Sequence, residues 1–312
     1  MFPCSVCEDV HTFDMSLPRR LLKALFPRDE PFADATALAK AVRYDERFRE
    51  VLSDPINLLV RRLPEAGYVD AEGLVILHNG VRVPLRGPGS YYAEFSDILL
   101  INRGVHEPLE EYCFQEMIAS LGKDAPVMLE LGSYWAHYSM WLKKSRPAAV
   151  CHMVEAALVG LEAGRANFLR NRIEGFFHHA RVGRGHFTVD AFMRAQGLEG
   201  LDILHSDIQG YEGEMIEGAS ESLAGQRVGR VFISTHSESL HRAIEEKLRA
   251  FGYVIEVSSG INEHATSCDG LIFASAPGLK PIISGWRPLG RLEILHASPE
   301  ELAASLRSRL PG

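Results

Sequence analysis

One stretch limits this chain more than any other: Val127-Met-Leu-Glu-Leu-Gly132-Ser-Tyr-Trp-Ala-His-Tyr-Ser139, followed one β-α unit later by Val150-Cys-His-Met-Val-Glu155. The first part reads as a buried strand, a glycine turn and a helix start. The second reads as another buried strand ending in an acid. Two parallel strands so arranged hold a nucleotide-type ligand across their carboxyl ends.

The surrounding pattern agrees. Strands are predicted near 127–131, 149–154, 176–181, 202–206, 229–235, 252–257 and 271–275, with helices between most of them. Leu240, Ile244, Leu248 and Phe251 form one apolar stripe at helical spacing; Met215, Ile216, Ala219 and Leu223 form another. Both read as core. Such alternation predicts an α/β protein with a mostly parallel seven-stranded sheet and helices on both faces.

The N-terminal part reads differently. Asp34 to Leu52 has helix-favouring composition, with Asp34 as N-cap. Two β-rich runs flank Asn79-Gly80, a hairpin signal. Glu107-Pro108 opens a helix through Leu121. The expected division is a helical and hairpin extension over 1–87 and a ligand-binding domain over 88–312. The extension is expected to cover the site or to form a homodimer surface.

Composition excludes several classes. The formal net charge is −8 and no Lys/Arg run is dense enough for a phosphate-backbone footprint, so no nucleic acid partner is expected. No apolar stretch approaches the ~18–20 residues of a membrane helix. The N-terminus lacks a basic-then-apolar signal pattern, and five cysteines without framework spacing suit a reducing compartment. A cytoplasmic location is expected. Cys4, Cys7 and His11 lack the second pair that a zinc site would need.

At the first turn, Gly132 lets the backbone pass close to a ligand, and Ser133 and the next amides can donate hydrogen bonds. A dinucleotide fingerprint would need glycine at 134 and 137, where Tyr134 and His137 stand. A nicotinamide-dependent oxidoreductase is therefore the lesser reading. Glu130 would repel a phosphate and suit a cationic ligand. Glu155 is placed to accept hydrogen bonds from ribose hydroxyls. An adenosyl group at one end and a positive charge at the other describe S-adenosylmethionine. The cofactor residues expected are Glu130, Gly132, Ser133, Tyr134, His137, Ser139 and Glu155.

A second constellation is Leu201-Asp-Ile-Leu-His205-Ser-Asp207-Ile-Gln-Gly210-Tyr-Glu212, a strand tip, a glycine turn and a helix start. The next strand ends in His236. His205, Asp207 and His236 are the expected catalytic residues, a histidine acting as general base with Asp207 as its orienter. Asp207, Glu212 and His236 are alternatively candidate ligands of a divalent metal. Tyr91, Tyr92, Tyr211, Glu212 and His264 are expected to line the acceptor site.

These residues together resemble FkbM-type S-adenosylmethionine-dependent methyltransferases, over roughly residues 88–275. Glu130, Gly132 and Ser139 fit the family's cofactor turn, Glu155 its ribose acid, and Asp207, Gly210, Glu212, Gly218 and Ala219 its strand-to-helix segment. Departures are Ala136 at the second turn glycine, Ser133-Tyr134 for Ala-Asn, His205 for Lys and Gln209 for Glu. The resemblance implies a Rossmann-like class I methyltransferase fold and O-methylation of a sugar, glycan or natural-product hydroxyl. A cofactor-binding scaffold without turnover is the remaining reading, motivated by the substituted Lys and Glu positions.

Overall fold

The computed structural model describes residues 44–92, 95–261 and 269–310. Cys4, Cys7, His11, Asp34 and His264 lie outside the described residues.

The main sheet has seven strands: β3 (Val127–Leu131), β4 (Val150–Glu155), β5 (Phe176–His179), β6 (Leu201–Ser206), β7 (Val228–Thr235), β8 (Val254–Ser259) and β9 (Gly270–Ser275). Their spatial order is β5-β4-β3-β6-β7-β9-β8. The first five are parallel; β9 runs antiparallel to both β7 and β8. The order reverses at β3, whose two neighbours are β4 and β6. That is the switch point where open α/β sheets bind ligands.

Strands buried on both faces are mainly apolar, as β3, β6 and β7 are, with Glu130, Asp202, His205 and Arg230 among the polar exceptions. Their side chains alternate between two cores. Met128, Ile203, Phe232 and Phe273 face one; Leu129, Leu131, Leu204, Val231 and Ile233 face the other. The second core is closed by α6 (Val189–Ala195), α7 (Glu212–Gly218), α8 (Ser220–Ala224) and α9 (Glu238–Ala250). Both apolar stripes read from the sequence face it: Met215, Ile216, Ala219, Leu223, Ile244 and Leu248 are buried there.

The first core is closed by α3 (Pro108–Ser120) and α4 (His137–Ser145), with α5 (Leu158–Arg170) beside it. The predicted hairpin forms as β1 (Leu74–Ile76) and β2 (Arg82–Pro84) around Asn79-Gly80. Its Val75, Leu77, Val81 and Val83 are buried in the same core as Phe114 and Trp141. Gly104 makes this fit possible, since a Cβ there would lie 2.3 Å from the His78 nitrogen. Helix α1 (Tyr44–Ser53), α2 (Ile98–Ile101), α10 (Arg291–His296) and α11 (Pro299–Arg307) complete the described chain. No described helix is long and apolar enough to cross a membrane.

Candidate active site

The carboxyl ends of β3, β4, β6 and β7 bring Gly132, Glu155, Asp207 and His236 to one edge of the sheet. Gly132 has φ +72°, and a Cβ there would lie 1.7 Å from the Asp207 carbonyl oxygen. Only glycine lets the turn after β3 pass the tip of β6 this closely. The turn continues through Tyr134 (φ 40°) and Ala136 (φ 62°), both left-handed without being glycine. Strained backbone of this kind concentrates at ligand sites.

Glu155 is half-buried and organises the turn. Its Oε2 accepts from the Tyr134 amide (3.0 Å) and its Oε1 from the Ala157 amide (2.7 Å). The Tyr134 ring stacks on Tyr92 at 5.2 Å. Glu130 and Ser139 lie deeper, Glu130 Oε2 accepting from the Ser139 amide in the first turn of α4 (3.1 Å). Burial pushes the Glu130 carboxyl up. His137 is enclosed between Trp135 and Tyr138 and turned toward Glu111, and burial lowers its imidazole to about 3.

The acidic pocket centres on His236. Its Nδ1 is 2.7 Å from Glu212 Oε1. Its Nε2 is 3.2 Å from Asp207 Oδ1 and 3.2 Å from Asp269 Oδ1. Burial alone would lower this imidazole; the Asp269 charge and the bonds to Asp207 and Glu212 outweigh it and raise it to about 12. Burial likewise favours a neutral Asp207, but His236 holds it below the usual carboxylate range. A histidine held protonated is a donor and a positive charge, not a base.

Asp269 was not among the sequence candidates. It falls just before β9, and Gly270 pairs with Thr235 because β9 is antiparallel. An antiparallel strand begins where its parallel neighbour ends, so the residue before β9 meets the residue after β7. Glu212, fully buried, grips His236 from α7 and also accepts from the Gly210 amide (3.0 Å). One ligand atom from each of Asp207, His236 and Asp269 lies within 4.8 Å of the other two.

His205 takes another place. Sharing the face of Ile203 on β6, it points into the first core, where its Nε2 is 2.6 Å from Glu110 Oε1. Glu110 also accepts from the Ser234 hydroxyl (3.1 Å). Glu107, at the same end of α3, accepts from the Tyr138 hydroxyl (3.2 Å), and burial pushes its carboxyl up to about 7. In sequence, Glu107, Glu110 and Glu111 look like ordinary acids at a helix start. In the fold they face inward. Tyr91 is buried and hydrogen-bonded by Arg47; Tyr92 and Tyr211 are partly exposed, Tyr211 meeting Arg181.

Comparison with known proteins adds the following. No curated protein matches the chain. The precorrin-6y C5,15-methyltransferase of Geobacter metallireducens shares 16% identity over 53% of this chain and 87% of its own, with a TM-score of 0.40. A methyltransferase of Pyrococcus furiosus shares 18% identity over 55% and 83%, at 0.38. The M. capricolum TrmK complex with S-adenosyl-homocysteine shares 13% over 64% and 82%, at 0.37. Residues 137–255 match the model of the methyltransferase FkbM domain, which supports S-adenosylmethionine-dependent methyl transfer. Over this segment the chain is similar to the FkbM-type methyltransferases.

Proposed function

We propose that the protein is an O-methyltransferase that uses S-adenosylmethionine and acts on a hydroxyl of a sugar, glycan or natural-product acceptor. The observation that carries the reading is the backbone contact between Gly132 and Asp207. It brings the turn after β3 against the acidic pocket, so a donor bound over the one and an acceptor at the other would share a wall.

The adenosyl group would lie over the turn from Gly132, with Glu155 accepting from the ribose hydroxyls. The acceptor would enter beside Tyr92 and Tyr211, both open to solvent. Transfer breaks the bond from sulfur to methyl and forms the bond from methyl to acceptor oxygen, and the hydroxyl proton must leave. Asp207 is the most exposed of the three acids around His236, at 30% against 15% for Asp269 and 0% for Glu212. It would receive that proton. Alignment of the two reactants supplies much of the acceleration.

Asp207, His236 and Asp269 would also suit a divalent cation, provided the ion displaces the proton from His236 Nε2. Glu212 would then fix the imidazole orientation through Nδ1, as outer carboxylates do for metal-binding histidines. Such an ion would supply Lewis acidity to the acceptor oxygen. The test is methyl transfer from labelled S-adenosylmethionine to a panel of sugars and polyhydroxylated natural products. Labelled product that is lost in Asp207→Asn supports the reading. No transfer to any hydroxyl by protein that binds the methyl donor would sink it.

A further inference from the structure

A second group of metal-type side chains lies away from the acidic pocket, in the first core. It joins three segments distant in sequence: His78 from the hairpin turn, Glu111 from α3, and His137 from the start of α4. All three are buried, at 2%, 0% and 1% exposure. Their ligating atoms lie within 4.8 Å of one another.

The hydrogen bonding here is incomplete. His78 Nδ1 is 3.4 Å from the Arg61 carbonyl oxygen, which can only accept, so Nδ1 carries the hydrogen. Its Nε2 is then a bare lone pair, 3.7 Å from Glu111 Oε2. A lone pair and a carboxylate oxygen face each other in a buried interior. Neither atom has a hydrogen-bond partner among the described residues, and the same holds for both ring nitrogens of His137. Unpaired buried polar atoms are costly, about 1–3 kcal/mol each. A cation between them removes that cost.

The spacings agree. Two ligands on a tetrahedral zinc, with bonds of about 2.0–2.1 Å, lie about 3.4 Å apart. His137 Nε2 is 3.4 Å from Glu111 Oε1. A charge-assisted hydrogen bond would be shorter, about 2.7–2.9 Å. His106, with Nδ1 2.6 Å from Glu111 Oε1, would hold the carboxylate in place. A carbonyl behind one ligand and a histidine behind another are what outer-shell partners look like around a metal.

We infer that His78, Glu111 and His137 form a structural site for one zinc-class transition ion. Imidazole and carboxylate donors suit that class. The ion would tie the hairpin and α3 to the first residue of α4, directly after the left-handed Ala136. Because no ligand reaches solvent, it would enter as the chain folds and exchange slowly afterwards.

The experiment is metal analysis of the full chain, refolded with zinc and passed through a chelating column. Wild type should retain about one zinc per chain. His78→Gln and His137→Gln should each lose it, while Asp269→Asn should keep it. X-ray absorption of the zinc-loaded wild type should show imidazole and oxygen ligands, a reading independent of whether the variants fold. Absence of retained zinc in wild type, or a zinc lost with Asp269→Asn and kept with His78→Gln, overturns the inference. The zinc assay uses no methyl donor, so it stands or falls separately from the methyl-transfer reading.

Discussion

The α-carbon of Gly132 and the carbonyl of Asp207 touch, so that a Cβ on the first would lie 1.7 Å from the oxygen of the second. The clash is with backbone and cannot be relieved by a rotamer change. Gly132→Ala should therefore cost about 4 kcal/mol or more, enough to unfold a marginally stable domain. A denaturant midpoint unchanged from wild type would show that the two strand tips are further apart.

Ala136 makes the opposite case. Its φ of 62° suits glycine, and the residue carries a Cβ nevertheless. Ala136→Gly should relieve the left-handed strain, worth about 1–2 kcal/mol, against the extra freedom it gives the unfolded chain. Ala136 is fully buried in the first core, so a methyl worth about 0.8 kcal/mol is lost as well. The expected net is within about 0.5 kcal/mol of zero, read as a thermal midpoint within a few degrees of wild type.

On the proposed reading Glu212, bonded to His236 Nδ1, acts through that imidazole. Glu212→Gln keeps an acceptor for Nδ1 and should lower kcat by about tenfold; Glu212→Ala should lower it by about a hundredfold. KM for the methyl donor should change little in both. An equal loss for the two variants would mean that the carboxylate serves only packing.

The Glu107 carboxyl, raised by burial from an ordinary 4.5 to about 7, gives a pH signature. A raised folded value means that the acid stabilises the fold fully below about 4.5 and that this contribution is lost as pH rises through about 7. Glu107→Gln carries no proton to lose. Relative to wild type it should gain up to about 3 kcal/mol between pH 4.5 and 8. Denaturant midpoints of both proteins at the two pH values check this, and parallel curves would contradict it.

Much of this was legible in the chain. β3, β4, β6, β7 and β9 announced themselves because a sheet covered on both faces demands mainly apolar strands. Asn79-Gly80 announced the hairpin through its turn chemistry. Gly132, Glu155, Asp207 and His236 stood out because strand ends are where α/β folds place polar groups. Asp269 stayed hidden because its place depends on one antiparallel strand inserted between β7 and β8, and strand direction leaves no mark on local composition. His205 and His236 looked alike as strand histidines. The period-2 alternation separates them: His205 shares its face with Ile203 and enters the core, where Glu110 waits, while His236 lies past the strand end. Glu110 and Glu111 carried no signal, since acids in a first helical turn are ordinary.

The central claim is that the turn after β3 binds S-adenosylmethionine with Glu155 on the ribose. Calorimetric titration of the full chain with S-adenosylmethionine tests it most directly, with Glu155→Ala and an NAD titration as controls. The account predicts a Kd on the order of micromolar, about −8 kcal/mol, weakened by tenfold or more in Glu155→Ala, and no heat from NAD. Folded wild-type protein that binds NAD, or that gives no heat with the methyl donor, would contradict it.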